Sequence, residues 1–153
     1  MTLREKIGII PRKLIDDERG WFLKILTGTE PGIDLGAGEV YAVMASPGEV
    51  RGNHYHRAAD EWFTLLNGSA LFRFCDPQTM ETLDMDVSFG ECATVFVPHG
   101  VAHAIQSKPG ASESMVVVAF SSLRYNPDDT VPFTLFPAAG LSRTDEPAEK
   151  QDA

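Results

Sequence analysis

Two of the four histidines in this 153-residue chain stand one residue apart, in Arg51-Gly52-Asn53-His54-Tyr55-His56. Side chains alternate along an extended backbone, so His54 and His56 fall on one face of a strand. Glu61, five residues further on, can bring a carboxylate back to the same pocket after a short turn. Two imidazoles and a carboxylate on β-structure suit a divalent metal. A third imidazole, His103, lies in Pro98-His99-Gly100-Val101-Ala102-His103, at a strand–turn–strand junction. In a closed barrel, strands far apart in the chain become neighbours, so His103 can complete a His-His-Glu-His quartet. That donor set suits one divalent transition metal per chain, Zn first, with Fe, Mn, Ni or Co as alternatives. A catalytic site of this kind keeps one or two positions open for water or a substrate oxygen.

The elements that must position these residues read as strands throughout. Trp21–Leu26, Val40–Ala45, Glu61–Leu66, Ser69–Phe74, Met80–Val87, Ala93–Val97, Val101–Gln106 and Met115–Phe120 are short apolar or alternating runs. They are separated by turn residues such as Pro47-Gly48, Asp76-Pro77 and Lys108-Pro109-Gly110. Residues 6–15 read as an Ile-rich edge segment interrupted by Pro11, and 132–136 as a last strand. Asn67-Gly68, between two apolar runs, predicts a hairpin with Ser69–Phe74 as its return strand. No dozen residues show a helical period. About ten short strands indicate an all-β sandwich or barrel. The expectation is one domain over residues 1–137 and a disordered polar tail over 138–153.

Composition narrows the partners. Net charge is −9 and the pI is about 4.8, which opposes binding to nucleic acid or to an anionic membrane. The N-terminus has no secretory apolar core, and no apolar run spans a bilayer. Cys75 and Cys92 form no CxxC pair, so reduced thiols and a cytoplasmic location are expected.

The spacing Gly48-x5-His54-x-His56-x4-Glu61-x6-Gly68 resembles the first cupin motif at every fixed position, and Pro98-x-Gly100-x2-His103 the core of the second. Gly90 stands eight positions before Pro98 rather than six, and Ser107 stands where the family often has Asn; neither is a ligand position. The resemblance implies a jelly-roll β-barrel holding a metal on His54, His56, Glu61 and His103. A narrower likeness ties Gly48-x2-Arg51-Gly52-x-His54-Tyr55 and Asp17-x-Arg19-Gly20-x-Phe22 to the nucleotide-sugar 3,5-epimerases. In that family Arg19 and Arg51 would bind substrate, and His54 would be the base. The chain departs from those epimerases at His56, where they carry Gln, at Lys24, where they carry Glu, and at Ala119, where they carry a proton-donating tyrosine. It is more similar to the metal-binding C-terminal cupin domain of bifunctional capsular-polysaccharide enzymes, through Arg51–His56, Glu61-x-Phe63 and Asn126–Thr130. In those enzymes the cupin is fused to a reductase, so this chain is expected to act alone or with a separate partner.

This implies a metal-dependent epimerase or isomerase of a nucleotide-linked 4-keto-6-deoxy sugar, working by C3 proton abstraction through an enolate. With His54 held as a ligand, His99 and Tyr55 are the candidates for proton transfer, Tyr41 and Glu91 following. Arg51 would stabilise charge or bind phosphate, and Arg19 and Trp62 would contact substrate. A homodimer is expected, through sheet packing and exchange of the N-terminal strand. An Fe(II)-dependent dioxygenase and a non-catalytic sugar-binding cupin are the competing readings.

Overall fold

The computed structural model describes residues 1–137; the segment 138–153, for which a disordered tail is expected, lies outside the described residues. A one-turn helix α1 (Leu3–Lys6) opens the chain. Twelve strands follow: β1 (Gly8–Pro11), β2 (Leu14–Asp17), β3 (Gly20–Leu23), β4 (Glu39–Ala45), β5 (Val50–His56), β6 (Glu61–Asn67), β7 (Ser69–Cys75), β8 (Thr82–Ser88), β9 (Ala93–Val97), β10 (Ala102–Ser107), β11 (Met115–Ser121) and β12 (Thr130–Pro132). They form two five-stranded sheets, ordered β1-β9-β6-β11-β4 and β12-β5-β10-β7-β8, with β2–β3 as a separate hairpin. Every pairing is antiparallel. This is a jelly-roll, as the resemblance to the cupin motifs implies, and it bears out the all-β reading.

The two inner faces share one apolar core that includes Phe63, Leu65, Phe72, Phe74, Val95 and Val117. Phe63 of the first sheet meets Phe72 of the second edge-on, with ring centroids 6.3 Å apart. Burying a side chain of this size stabilises the fold by about 1.5–3 kcal/mol. The alternation on β6 is the one that matters for the site. Glu61, Phe63 and Leu65 point into the barrel, so Trp62 and Thr64 point out of it.

Asn67-Gly68 does not make the expected hairpin. β6 pairs with β9 and β11, whereas β7 pairs with β8 and β10, so the turn carries the chain from one sheet into the other. Gly68 makes the crossing with φ +78°, and a Cβ there would meet Ser114 O at 2.8 Å. The last strand is β12, at 130–132 rather than 132–136, and β3 stops at Leu23 rather than Leu26. Cys75 and Cys92 are free thiols. Among the described residues no helix is long and apolar enough to cross a membrane.

Candidate metal centre

Strand β5 presents His54 and His56 inward, and β10 brings His103 opposite His54 in register. The approach depends on Gly52. Its φ is +97°, and a Cβ would lie 2.8 Å from His103 O, so only glycine lets the two strands close here. The register shifts between His103 and Ala104, next to Gly52 and Asn53, whose φ is also positive at 59°. Asn53 uses this left-handed turn to clamp the C-terminal segment. Its Oδ1 accepts the Leu135 and Phe136 N–H groups at 2.8 and 3.1 Å. The clamp helps hold β12 against β5, with Thr130 opposite His56.

The imidazole centroids of His56 and His103 each lie 4.9 Å from that of His54. One ligand atom from each of His54, His56, Glu61 and His103 lies within 4.8 Å of all the others. Glu61 Oε2 stands 3.2 Å from His56 Nε2 and 3.1 Å from His103 Nε2. Yet it is fully buried and accepts no well-directed hydrogen bond among the described residues. Donor atoms that converge on a common point instead of on each other are arranged as metal ligands are. A buried, orphaned carboxylate oxygen is also costly unless something positive faces it. The residues therefore fit a divalent transition metal.

Electrostatics favour lone-pair donation at His54 and charge on Glu61, while without an ion the carboxylates around His56 favour its protonated form. Burial lowers the His54 pKa to about 3, with His103 and His56 adding to the effect and Glu61 opposing it; the ring stays neutral and able to donate a lone pair. Burial also opposes charge on Glu61, but the close approach of His103 and His56 outweighs it and holds the carboxyl well below its usual range. His56 is pushed up, because Glu61 and Asp129 together outweigh its burial. Burial and the adjacent Glu61 drive the Tyr41 phenol far upward, and its hydroxyl donates to Glu61 Oε1 at 2.6 Å.

Beside the quartet lies a cavity of about 190 Å3 whose walls include Tyr41, Arg124, Tyr125, Asn126, Asp129 and Thr130. Arg124 is exposed at this cavity. Neither Arg124 nor Asp129 stood out in the sequence beyond the general likeness of residues 126–130, because each lies on a loop with no periodic signal.

Several expected site residues are placed elsewhere. Tyr55 alternates to the opposite face of β5 from the two histidines and packs on Phe133 with centroids 6.4 Å apart. Trp62 alternates away from Glu61, is 1% exposed, and packs between Phe96 and Phe120. It lines a separate groove of about 580 Å3 with His99, so neither residue reaches the quartet cavity. His99 is tied to Asp60, which accepts from its backbone N–H and lies 2.8 Å from its Nδ1. Glu91 is exposed and bonded to Ser88. Arg19 sits at the tip of the β2–β3 hairpin, 83% exposed and paired with Asp17 at 2.5 Å. Arg51 borders a small adjoining space that shares His54 and His103 with the quartet and Tyr41 with the cavity, and its Nε donates to Met44 O. Ala119, where the epimerases carry their tyrosine, is fully buried and pairs directly with Tyr41 on β4; a phenol thus stands one strand away from that position.

Comparison with solved structures finds the same fold in sugar-nucleotide enzymes. The dTDP-6-deoxy-D-glucose-3,5-epimerase RmlC of Legionella pneumophila superposes with a TM-score of 0.73 at 18% identity, covering 88% of this chain and 76% of that one. The 3,4-ketoisomerase QdtA of Thermoanaerobacterium thermosaccharolyticum, a double mutant in complex with TDP, gives 0.69 at 22% identity over 86% and 88%. The capsular polysaccharide assembling protein CapF of Staphylococcus aureus gives 0.60 at 24% identity, covering 82% of this chain but 35% of that one. At these identities the likeness shows the shared fold. No curated protein matches the sequence. Residues 15–132 match the family described as polysaccharide biosynthesis C-terminal domain, and the chain belongs to that family.

Proposed function

We propose that this protein is a metal-dependent epimerase or isomerase of a nucleotide-linked 4-keto-6-deoxy sugar. The observation that carries the reading is the buried His54-His56-Glu61-His103 cluster beside a cavity that has an arginine and two tyrosines in its wall. Structures of the same fold support the substrate class, since RmlC was solved with dTDP-4-keto-L-rhamnose and QdtA with TDP.

A 4-keto group acidifies the hydrogen on C3. Removing that proton leaves an enolate, the costly species, and delivering a solvent-derived proton to the other face inverts the centre. A divalent ion on the four ligands, Zn first among Zn, Fe, Mn, Ni and Co, supplies Lewis-acid polarisation of the keto oxygen worth several kcal/mol. The chain's own residues do the rest. The cavity, at about 190 Å3, encloses a monosaccharide-sized group and leaves the nucleotide outside. Arg124, exposed beside it, binds the phosphate oxygens, with the bidentate geometry a guanidinium offers. Tyr125, half-buried in the wall, carries the proton on one face of C3, and water in the cavity exchanges it on the other. Arg51, three residues before His54 on β5 and bordering the same small space, adds positive potential beside the site.

We also infer a homodimer working in the cytoplasm. Val40 and Met44, 66% and 53% exposed on the outer face of the first sheet, and Trp21 and Phe22 on the projecting hairpin are large apolar groups left uncovered in one protomer. A monomeric mass in light scattering contradicts this.

The deciding experiment incubates metal-analysed protein with UDP- and dTDP-4-keto-6-deoxy sugars in D2O and follows C3 and C5 by NMR. Deuterium entering at C3 is the expected result. No exchange with any such sugar, together with bound iron and oxygen uptake on another substrate, overturns the reading in favour of a dioxygenase.

A further inference from the structure

The four ligands are themselves held, and not all in the same way. His103 Nδ1 lies 3.2 Å from Val101 O. His56 Nδ1 lies 3.2 Å from Asp129 Oδ2. Asp129 is fixed in turn, because its carboxylate accepts the N–H groups of Ala58 and Ala59 at 2.7 and 3.4 Å, and its carbonyl accepts that of Arg57 at 2.8 Å. Both rings therefore engage an oxygen through Nδ1 and turn Nε2 towards Glu61. An imidazole so oriented offers a single lone pair in a single direction.

Glu61 alone among the ligands has two equivalent oxygens, and the fold takes one of them away. Tyr41 reaches across β11 from β4 and donates to Oε1 at 2.6 Å. The inward residue it passes is Ala119, whose methyl leaves room for the bridge. Oε2 is left facing His56 and His103.

We propose that Tyr41 and Asp129 are positioning residues that set the coordination mode of the site: Tyr41 restricts Glu61 to one oxygen, and Asp129 fixes His56 on Nε2. The consequence is an open position where a second carboxylate oxygen would otherwise bind. This rests on the metal-site reading above, and the test separates the two.

Wild type, Tyr41→Phe, Asp129→Asn and Asp129→Glu are loaded with Co(II). Visible ligand-field absorption reports coordination number, and competition with a chelator reports affinity. Tyr41→Phe is expected to weaken the visible bands, as the freed Oε1 joins and the coordination number rises. Asp129→Asn is expected to lower Co(II) affinity about 10–100-fold, with Asp129→Glu recovering part of it. Folded variants with the wild-type spectrum and affinity overturn the assignment. If Tyr41→Phe does not fold, a Tyr125→Phe protein that keeps Tyr41 decides its half: loading it with zinc perturbs the tyrosine ultraviolet spectrum if Tyr41 bonds a ligand, and an unchanged spectrum overturns it. Failure of wild type to bind Co(II) or Zn(II) overturns the metal site itself, and this assignment with it.

Discussion

Replacing Glu30 with glutamine tests how the loop between β3 and β4 is fastened to the barrel. The Glu30 side chain is 2% exposed and pairs with Arg12 at 2.6 Å. It also accepts from the N–H groups of Thr27 and Gly28, both at 2.9 Å. Arg12 Nε continues the network to Thr94, which bonds Thr64 at 2.8 Å and Ile25 O at 3.1 Å. Burial alone would raise the Glu30 carboxyl, but these N–H groups and the guanidinium outweigh it and bring the pKa from 4.5 to about 2. That difference is worth about 3 kcal/mol of folding stability. The cost of breaking one side of a buried ion pair, about 3–5 kcal/mol, is of the same size. Because the folded pKa is depressed, the contribution is fully present above pH 4.5 and is lost as pH falls through about 2. Urea unfolding of wild type and Glu30→Gln should therefore differ by about 3 kcal/mol at neutral pH. The gap should narrow steadily as the buffer is taken below the ordinary carboxylate range. Equal midpoints at neutral pH, or a gap that does not change on acidification, would refute the reasoning.

Other changes bear on the site directly. Gly52→Ala drives a Cβ to within 2.8 Å of His103 O at φ +97°; it should cost about 1–3 kcal/mol in thermal melts and reduce metal content. His56→Ala should leave a folded protein with less than one metal per chain by elemental analysis, and C3 exchange in D2O should disappear with the metal; exchange that survives in a metal-free variant would make the ion structural. Arg124→Ala should raise KM for the nucleotide sugar about 10-fold or more with kcat little changed, as loss of a charged hydrogen bond predicts, and steady-state kinetics check it. Trp62→Phe removes a buried indole N–H that has no partner among the described residues; that relief offsets the lost area, so the change in stability should stay within about 1 kcal/mol.

Period-two alternation is a local property, and that is why so much of this site could be read along the chain. It put His54 and His56 on one face, and the same rule placed Glu61 inward on the next strand. The glycine and proline spacings around them resemble the cupin motifs, and that resemblance implied a jelly-roll with His103 within reach. The same alternation, applied to Tyr55 and Trp62, already excludes both from that face; Tyr55 was expected at the site by likeness to known enzymes and Trp62 because it follows Glu61, and the structure turns both outward.

Strand order is a different kind of information. Whether Asn67-Gly68 closes a hairpin or crosses between sheets depends on which strands β6 and β7 find as partners, and those lie far along the chain. Tyr41 meets Glu61 only because β11 alone separates their strands and carries a small residue between them. Asp129 meets His56 because the N–H groups of Arg57, Ala58 and Ala59 bind it at the end of β5 and Asn53 clamps the segment after β12 onto the same strand. The sequence by itself determined most of the strands and the common face of His54 and His56, since these follow from spacing over a few residues; Glu61 and His103 joined them as candidate ligands through the expected barrel and the likeness to the cupin motifs. The tertiary structure decided what holds those ligands and what lines the cavity beside them, since these contacts join side chains whose strands become neighbours only when both sheets are assembled.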